Sequence, residues 1–472
     1  MRQGVAIGAG LLLLAGCKTV GPDYRGPPPS AVVHTPSATG AFVGASGAGI
    51  SQAEPPGRWW RLYADARLDA LVQQALAANT DIRVAAANLE QSQALLAQTR
   101  SERTIATTLS GGVQYGAPSA EEYLQSQPIP PALEYSANLS AAYQLDLFGR
   151  LRRAEEAASA DVEAAMAARD AARVTVAAET ARAYADACGA GLRLAVARRS
   201  VALQQEARTL TVRLIRAGRG SVQDLTRATG QVAQSQSGVP ALQTQQRSAL
   251  FRLAVLTGRP PAEYRQDLET CTQPPRLTTP LPAGDGAALL RRRPDIRQAE
   301  RQLAAATARI GVATADLYPT ISLGGSLGSI GLVSDFLAPA TRSFGIGPLI
   351  SWTFPNRSAA RARIAAASAV SGAALARFDG VVLTALREAE TALTTYSHDL
   401  QQEAALSAAR DQAALALSQT ERLYRAGRES FLPVLDAERT LATAEAAVAS
   451  SEAQLSGDQI AVFLALGGGW EA

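Results

Sequence analysis

The sequence RLIRAGRGS at residues 213–221 occurs again, with two differences, as RLYRAGRES at residues 422–430. The two copies lie about 210 residues apart, which is too far for the period of a solenoid and suits a duplicated half. Each copy follows a long alanine-rich helical pattern and precedes another. Gly218 and Gly427 are therefore predicted to be the left-handed residues that end a helix, and Ser221 and Ser430 to start the next one. The sequence predicts two helical hairpins.

The helices on both sides of these turns are predicted to be very long. One helical pattern runs from Arg150 to Ala217 and another from about Asn356 to Arg425. A continuous helix of roughly 65 residues is about 100 Å long at 1.5 Å per residue. No globular domain needs such a helix, and the charged residues throughout the first one exclude a membrane span. Such helices need lateral partners, which favours coiled-coil packing. Returning helices are predicted from Ser221 to Leu256, with a kink at Pro240, and through Val434 to Leu466.

Between the helical patterns the apolar period changes to two. Four segments alternate apolar and polar residues, at 105–115, 133–147, 321–327 and 344–354. Long strands with one apolar and one polar face are typical of membrane barrels, although a hairpin packed on a soluble core would show the same alternation. Four strands cannot close a barrel, and open edges cannot lie in lipid. Several copies of the chain are therefore predicted to share one barrel, most simply as a symmetric ring.

The chain thus divides into two tandem structural repeats, at 57–270 and 271–472. Each is predicted to contain a helix, two strands, a long helix, a turn and a returning helix. The opening helix is predicted from Leu68 to about Glu102 in the first repeat, and from Pro294 in the second, where proline suits the first turn. The preceding residues 17–56 are rich in Pro, Gly, Ser and Ala and predict an extended tether without a core of its own.

The N-terminus has the features of a bacterial lipoprotein signal at residues 1–16. Arg2 supplies the positive charge, Val5 to Leu14 is an apolar segment too short to span a bilayer, and small residues precede Cys17. Acyl chains on Cys17, a diacylglyceryl group and an N-acyl group, would anchor the chain stably. A plain signal peptide with an incidental cysteine is the alternative. Cys188 and Cys271 remain; an oxidising compartment would allow them to pair, and the sequence leaves this open.

Composition excludes several classes of function. The 472 residues carry a formal net charge of +3, which is too close to neutral to indicate nucleic acid as a partner. The chain has no Walker-type loop, no Cys/His cluster with metal spacing and no nucleophile constellation, and it has only two histidines. An enzyme, a resident metal and a cofactor other than the lipid on Cys17 are therefore not predicted. Any transport through this chain would be passive and driven elsewhere.

Several motifs together resemble the TolC-like outer-membrane efflux factors, in particular the OprM-type (NodT-like) lipoprotein branch. The resemblance covers essentially the whole mature chain and rests on seven motifs: Cys17 followed by Gly21-Pro22-Asp23-Tyr24, Trp59-Trp60, Leu145-Asp146-Leu147-Phe148-Gly149-Arg150, Arg293-Pro294-Asp295-Ile296, Ala299-Glu300, Tyr318-Pro319, and the closing Ala465-Leu466-Gly467-Gly468-Gly469-Trp470.

This resemblance implies a mixed α and β membrane protein. Three copies would form a 12-stranded β-barrel in the outer membrane of a Gram-negative bacterium, continued by an α-helical coiled-coil tunnel in the periplasm. The homotrimer would be the exit duct of a tripartite efflux pump, working with a periplasmic adaptor (a membrane fusion protein) and an inner-membrane pump of the RND type. A duct for type I protein secretion or for metal efflux is an alternative. A periplasmic coiled-coil adaptor or structural lipoprotein would be a different class, and would leave the four strands unexplained.

The resemblance also assigns residues to roles. The periplasmic gate would consist of Leu432, Asp436, Arg439, Tyr424 and Asp224. The adaptor-contact tips would be Arg216, Gly218, Arg219, Ser221, Arg425, Gly427, Arg428 and Ser430.

The sequence departs from the family pattern at two positions. Pro433 stands where some relatives have a second ring aspartate, and Ile105 lacks the proline that Pro319 supplies in the second repeat. On the residues alone, Asp436 and Arg439 could equally be an ordinary ion pair on a solvated helix face.

Overall fold

The computed structural model describes residues 19–28, 31–47, 49–117, 119–121, 124, 126–354 and 357–468. The predicted signal peptide, Cys17, Asn356 and the closing Gly469-Trp470 lie outside the described residues.

The chain contains ten α-helices and six strands within these residues. The helices are α1 (Pro36–Thr39), α2 (Ala66–Ala78), α3 (Thr80–Ser101), α4 (Arg150–Arg216), α5 (Val222–Ser237), α6 (Val239–Leu256), α7 (Gly286–Arg292), α8 (Pro294–Ala315), α9 (Arg357–Arg425) and α10 (Phe431–Ala465). The strands are β1 (Ile50–Ser51), β2 (Ala106–Gly116), β3 (Ala132–Leu145), β4 (Leu281–Pro282), β5 (Thr320–Leu332) and β6 (Arg342–Ser351).

The described residues form two compact units. The first unit contains the residues up to Pro27, Leu89–Ala165 and Ala299–Phe378, and the second contains Pro28–Asn88, Met166–Gln298 and Asp379–Ala472. Each unit therefore combines stretches from both predicted repeats. The same order of helix, two strands, long helix, turn and returning helix occurs in both halves of the chain, but the halves are not separate domains.

The predicted element boundaries agree with the structure to within two residues apart from four differences, one of which is that β5 extends to Leu332 and not only to Leu327. The two long helices have 67 and 69 residues, as their patterns predict. The opening helix is interrupted at Asn79, whose side chain accepts from the amides of Asp81 and Ile82 and starts α3. The break before Pro240 falls at Gly238. The fourth strand ends at Ser351, so the prediction that it continues to Phe354 is wrong.

One helix also meets the criterion for a membrane span. A window of α9 has a mean hydropathy of 1.4 over 18 residues, and most of it is exposed in the single chain. Length and composition alone are weak evidence for a span, since alanine-rich helices that pack against other helices have the same composition.

The first unit contains a four-stranded antiparallel sheet in the order β2-β3-β5-β6. Its register aligns the apolar residues of neighbouring strands on one face. Leu109 pairs with Leu139, Leu139 with Leu327, and Leu327 with Phe344. This face is open: Leu109 is 78% exposed, Phe344 87% and Ile346 81%. The residues between them, including Ser110, Ser140 and Ser326, form a polar face. Among the residues that the structure describes, the outer strands β2 and β6 each pair on one side only.

The start of the described chain is held by Arg153 in the first unit. This side chain is only 4% exposed and lies 2.5 Å from the Asp23 carboxylate and 2.7 Å from Glu156. It also donates to the carbonyl oxygens of Val20 and Gly21. Gly21 has φ of +84°, and a Cβ there would collide with the backbone of Gly311. The Gly21-Pro22-Asp23-Tyr24 motif therefore docks the N-terminal segment.

The N-terminal segment of the second unit is docked as well. The Val43 and Gly44 amides both donate to Glu390, each at 2.8 Å, and the Val32 amide donates to Asp379 at 3.0 Å. Further along, β1 pairs in parallel with β4. The prediction of a tether without a core is wrong for these residues, because a run of short side chains lets the backbone approach a neighbouring helix.

The core of the second unit contains large aromatic residues and a disulfide. Trp59 is fully buried and stacks on Phe463 with ring centroids 4.6 Å apart, and its indole N–H donates to the Gly468 carbonyl. Cys188 of α4 and Cys271 form a disulfide, with Cα atoms 4.8 Å apart. The disulfide connects α4 to the segment that joins the two halves of the sequence.

Candidate functional site

The two repeated turns have the same backbone structure. Gly218 and Gly427 both have φ of +70°. The amide of Gly218 donates to the Ile215 carbonyl and that of Arg219 to Leu214, and Gly427 and Arg428 make the corresponding bonds to Tyr424 and Leu423. This pair of bonds satisfies carbonyls that a helix end leaves free. The predicted left-handed glycines are confirmed.

The helices that follow the turns begin differently. Ser221 accepts from the Asp224 amide while the Asp224 carboxylate accepts from the Ser221 amide, a complete capping box at the start of α5. Ser430 occupies the same position before α10, but its side chain makes no capping bond. The third residue of α10 is Pro433, and proline has no N–H to donate. Pro433 therefore leaves the start of α10 without the amide that a capping serine would bind.

All eight predicted tip residues are exposed. Around them, Arg425 pairs with Glu421 at 2.5 Å, and Tyr424 packs on Phe431 with ring centroids 5.4 Å apart. A Cβ at Gly218 or Gly427 would meet no atom within 4 Å. The turns thus present guanidinium groups and backbone to solvent, a surface that another protein can contact.

Three of the predicted gate residues lie together near the start of α10. Asp436 accepts from Arg439 at 2.6 Å, and both side chains are 63% exposed. Leu432, which is 51% exposed, lies with them along a groove of about 420 Å³ between α5 and α10. Tyr424 lies on the turn itself. Asp224 does not line the groove and is held in the capping box of α5.

The groove contains residues that the sequence interpretation missed. Arg227, Gln231 and Gln234 of α5 face the Asp436–Arg439 pair across it. They are spaced three or four apart and so lie on one face of α5. A polar stripe of this kind is common on any solvated helix. Only the position of α10 in the fold shows that this stripe faces the Asp436–Arg439 pair.

Glu438 of α10, two residues after Asp436, has a half-buried carboxylate. Burial and the neighbouring Glu421 raise the pKa of Glu438 to about 7, and its Oε2 has no hydrogen-bond partner in the described part of the chain. The eighth residue of α10 is thus an acid that holds its proton to a higher pH than an exposed glutamate does.

We expect the hairpin of α9 and α10 to become less stable as the pH rises from about 4.5 to about 7. Over this range the folded state binds more protons than the unfolded state, because the pKa of Glu438 is higher in the fold. Amide exchange at residues 431–440, measured at pH 5.5 and 8.0, should be slower at the lower pH after correction for intrinsic rates. Glu438→Gln should remove the difference. Glu445→Gln on the same helix is the control, and an unchanged pH dependence in Glu438→Gln would contradict the assignment.

No group of three or more His, Cys, Asp or Glu side chains suited to a metal occurs among the described residues. The site therefore consists of exposed turns, one ion pair and a polar groove. Such an arrangement can contact a partner or line a passage.

The sequence matches the profile of the outer membrane efflux protein family at residues 71–259 and 287–468. The chain belongs to this family. It is 30% identical to nodulation protein T of Rhizobium leguminosarum bv. viciae over 98% of this chain and 92% of that protein. It is also 30% identical to the pyoverdine export outer membrane protein OpmQ of Pseudomonas putida over 98% and 96% of the two chains.

A solved structure supports the same relationship. The outer-membrane channel OprN matches with a TM-score of 0.88 and 37% sequence identity, over 96% of this chain and 100% of that one. The efflux protein described here therefore has the fold of an outer-membrane channel and is an outer-membrane protein, as the sequence predicts. The family consists of channel proteins rather than enzymes.

Proposed function

We propose that this efflux protein is the passive exit duct of a tripartite efflux pump, conducting small molecules across the outer membrane. The observation that carries the proposal is the sheet of the first unit, whose apolar face is exposed and aligned across four strands. Water is a poor solvent for such a face, and lipid is a suitable one. A single chain leaves the edges of β2 and β6 unpaired, which the hydrocarbon region does not tolerate.

Three copies arranged around an axis would pair β6 of one chain with β2 of the next and close twelve strands. The long helices would extend the same ring, and the exposed alanine-rich window of α9 would be covered by a neighbouring copy. The acylated Cys17 would add a lipid anchor to the barrel. In such a ring Asp436 and Arg439 would recur three times around the passage. The exposed turns would contact an adaptor that connects the duct to an inner-membrane pump.

The mass of the purified protein in detergent, measured by native mass spectrometry, tests the proposal. Three chains in each complex, with ion conductance after reconstitution in planar bilayers, are expected. A stable single chain without conductance would contradict the shared barrel, because its sheet edges would then remain open.

We expect Asp436→Ala combined with Arg439→Ala to raise the conductance of the isolated protein several-fold. Like charges brought together in a constriction need a partner, and the Arg439 guanidinium, 2.6 Å from Asp436, supplies it. Removing both side chains would widen the passage without leaving an unpaired charge. Arg410→Ala with Asp411→Ala, an exposed pair on α9 with atoms also 2.6 Å apart, is the matched control. Equal conductance in both double variants would exclude the pair from the gate.

A further inference from the structure

One end of the sheet in the first unit is marked by aromatic side chains. Here α3 enters β2, β3 leads into α4, and β6 leads towards α9. Phe148 stacks on Tyr318 with ring centroids 4.5 Å apart, and Trp352 packs on Phe354 at 5.5 Å. Trp352 and Phe354 are 51% and 66% exposed. Exposed aromatic rings at the ends of lipid-facing strands mark the boundary between hydrocarbon and headgroups.

Arginines follow directly behind this aromatic boundary. Three of the four chain segments that pass between the helices and this end of the sheet carry them, in or beside the ends of α3, α4 and α9. The exposed ones are Arg100, Arg103, Arg150, Arg152, Arg357, Arg361 and Arg363. At the other end, the connections at 117–131 and 333–341 contain three acidic residues, and the arginine beside them, Arg342 at the start of β6, donates to the Leu337 carbonyl. The cationic side chains are therefore concentrated at the end of the sheet next to the helices.

The acidic neighbours do not neutralise this cluster. Arg100 and Arg103 share the single carboxylate of Glu155, at 2.9 and 2.5 Å. Arg150 and Arg363 share Asp316, at 4.0 and 2.9 Å.

The charges of the two arginines at the start of α9 are balanced even less by acidic side chains. Neither Arg357 nor Arg361 forms an ion pair with any residue that the structure describes. They are four residues apart and so lie on the same face of α9. Each of these arginines therefore keeps guanidinium N–H donors that can bind an anion.

The cluster also adjoins the start of the described chain. Arg152 donates to the Thr19 hydroxyl at 3.0 Å, and the Val20 amide to the Phe148 carbonyl at 3.1 Å. The described chain therefore starts, at Thr19, beside Arg152.

We propose that these arginines bind the phosphate groups of anionic phospholipids in the membrane leaflet next to the helices. The inference rests on the proposed barrel, which puts the aromatic boundary at the headgroup level. A guanidinium binds phosphate oxygens through two parallel N–H donors, which suits a phosphodiester better than the compact charge of a lysine ammonium does. Anionic headgroups would fix the height of the barrel in the leaflet that also holds the acyl chains of Cys17.

The test compares lipids retained by the full-length protein. The detergent-solubilised protein is incubated with equal amounts of phosphatidylglycerol and phosphatidylethanolamine, and the bound lipids are counted by native mass spectrometry. We expect the wild type to retain phosphatidylglycerol preferentially. Arg357→Gln with Arg361→Gln should lower that preference about tenfold, given the attraction of each arginine near an anionic surface. Arg387→Gln with Arg410→Gln changes the net charge equally on the same helix and should leave it unchanged.

The outcomes separate this inference from the proposed function. Equal retention of the two lipids by a conducting, multimeric wild type would overturn the lipid inference and leave the duct proposal standing. A preparation that neither assembles nor conducts would contradict the duct itself. Loss of the multimer in Arg357→Gln with Arg361→Gln, with no lipid preference in the wild type, would assign these arginines to contacts between copies.

Discussion

Replacing Ile346 by arginine is expected to destabilise the membrane-inserted protein by about 2–4 kcal/mol in each chain. Ile346 lies in the middle of β6 and is 81% exposed on the aligned apolar face. If this face contacts hydrocarbon, a guanidinium there must lose its hydration or distort the bilayer. In a shared barrel the cost recurs in every copy, so assembly in the outer membrane should fail. Cell fractionation and resistance to extraction measure the result.

The polar face of the neighbouring strand supplies the control. Ser326 pairs with Gly345, next to Ile346, but its side chain points to the opposite face of the sheet. Ser326→Arg should insert normally and alter only ion selectivity, since it would face an aqueous passage. Normal insertion of Ile346→Arg would show that the apolar face is covered by something other than lipid.

Removing the disulfide is expected to lower the free energy of unfolding by about 4 kcal/mol. Cys188 and Cys271 are 83 residues apart in sequence, and a crosslink that closes so long a loop restricts the unfolded chain strongly. Both sulfurs belong to buried residues, so solvent reaches the bond only when the surrounding helices open. Cys188→Ser with Cys271→Ser should shift the midpoint of denaturant unfolding in detergent micelles well below that of the wild type.

Reduction provides an independent comparison for the same effect. Wild type unfolded and refolded in dithiothreitol should match the double variant, while the double variant itself should not respond to the reductant. If the double variant unfolds at the wild-type midpoint, the disulfide does not constrain the unfolded chain. A shift in Cys188→Ser alone that exceeds the shift in the double variant would indicate damage from an unpaired thiol rather than loss of the crosslink.

Much of this architecture is predictable because its signals are local. Alternating residues in β3 and the left-handed Gly218 and Gly427 depend on backbone geometry within a few positions, and these predictions hold. The segment 31–51 was mispredicted because composition indicates only that it lacks large apolar side chains. Glu390 lies more than 300 residues away, and only the fold shows that it accepts the amides of Val43 and Gly44.

The candidate site likewise has one part that the sequence predicts and another that it does not. The Asp436–Arg439 pair is separated by three residues on one helix, so its contact follows from sequence spacing. The groove residues of α5 and the half-buried position of Glu438 depend on how α5, α9 and α10 pack, which no spacing within one segment encodes. The interruption of the opening helix at Asn79 was missed because an asparagine cap outcompetes the continuing helical pattern there.

The unequal helix starts after the two turns have a consequence for symmetry. The proposed trimer would present six turns of the same backbone structure, but Ser221 caps its helix and Ser430 does not. A capping bond contributes about 1 kcal/mol to a helix start, so three of the six positions would yield more easily than the three between them. A partner that contacts all six turns would then meet two non-equivalent kinds of helix start in alternation.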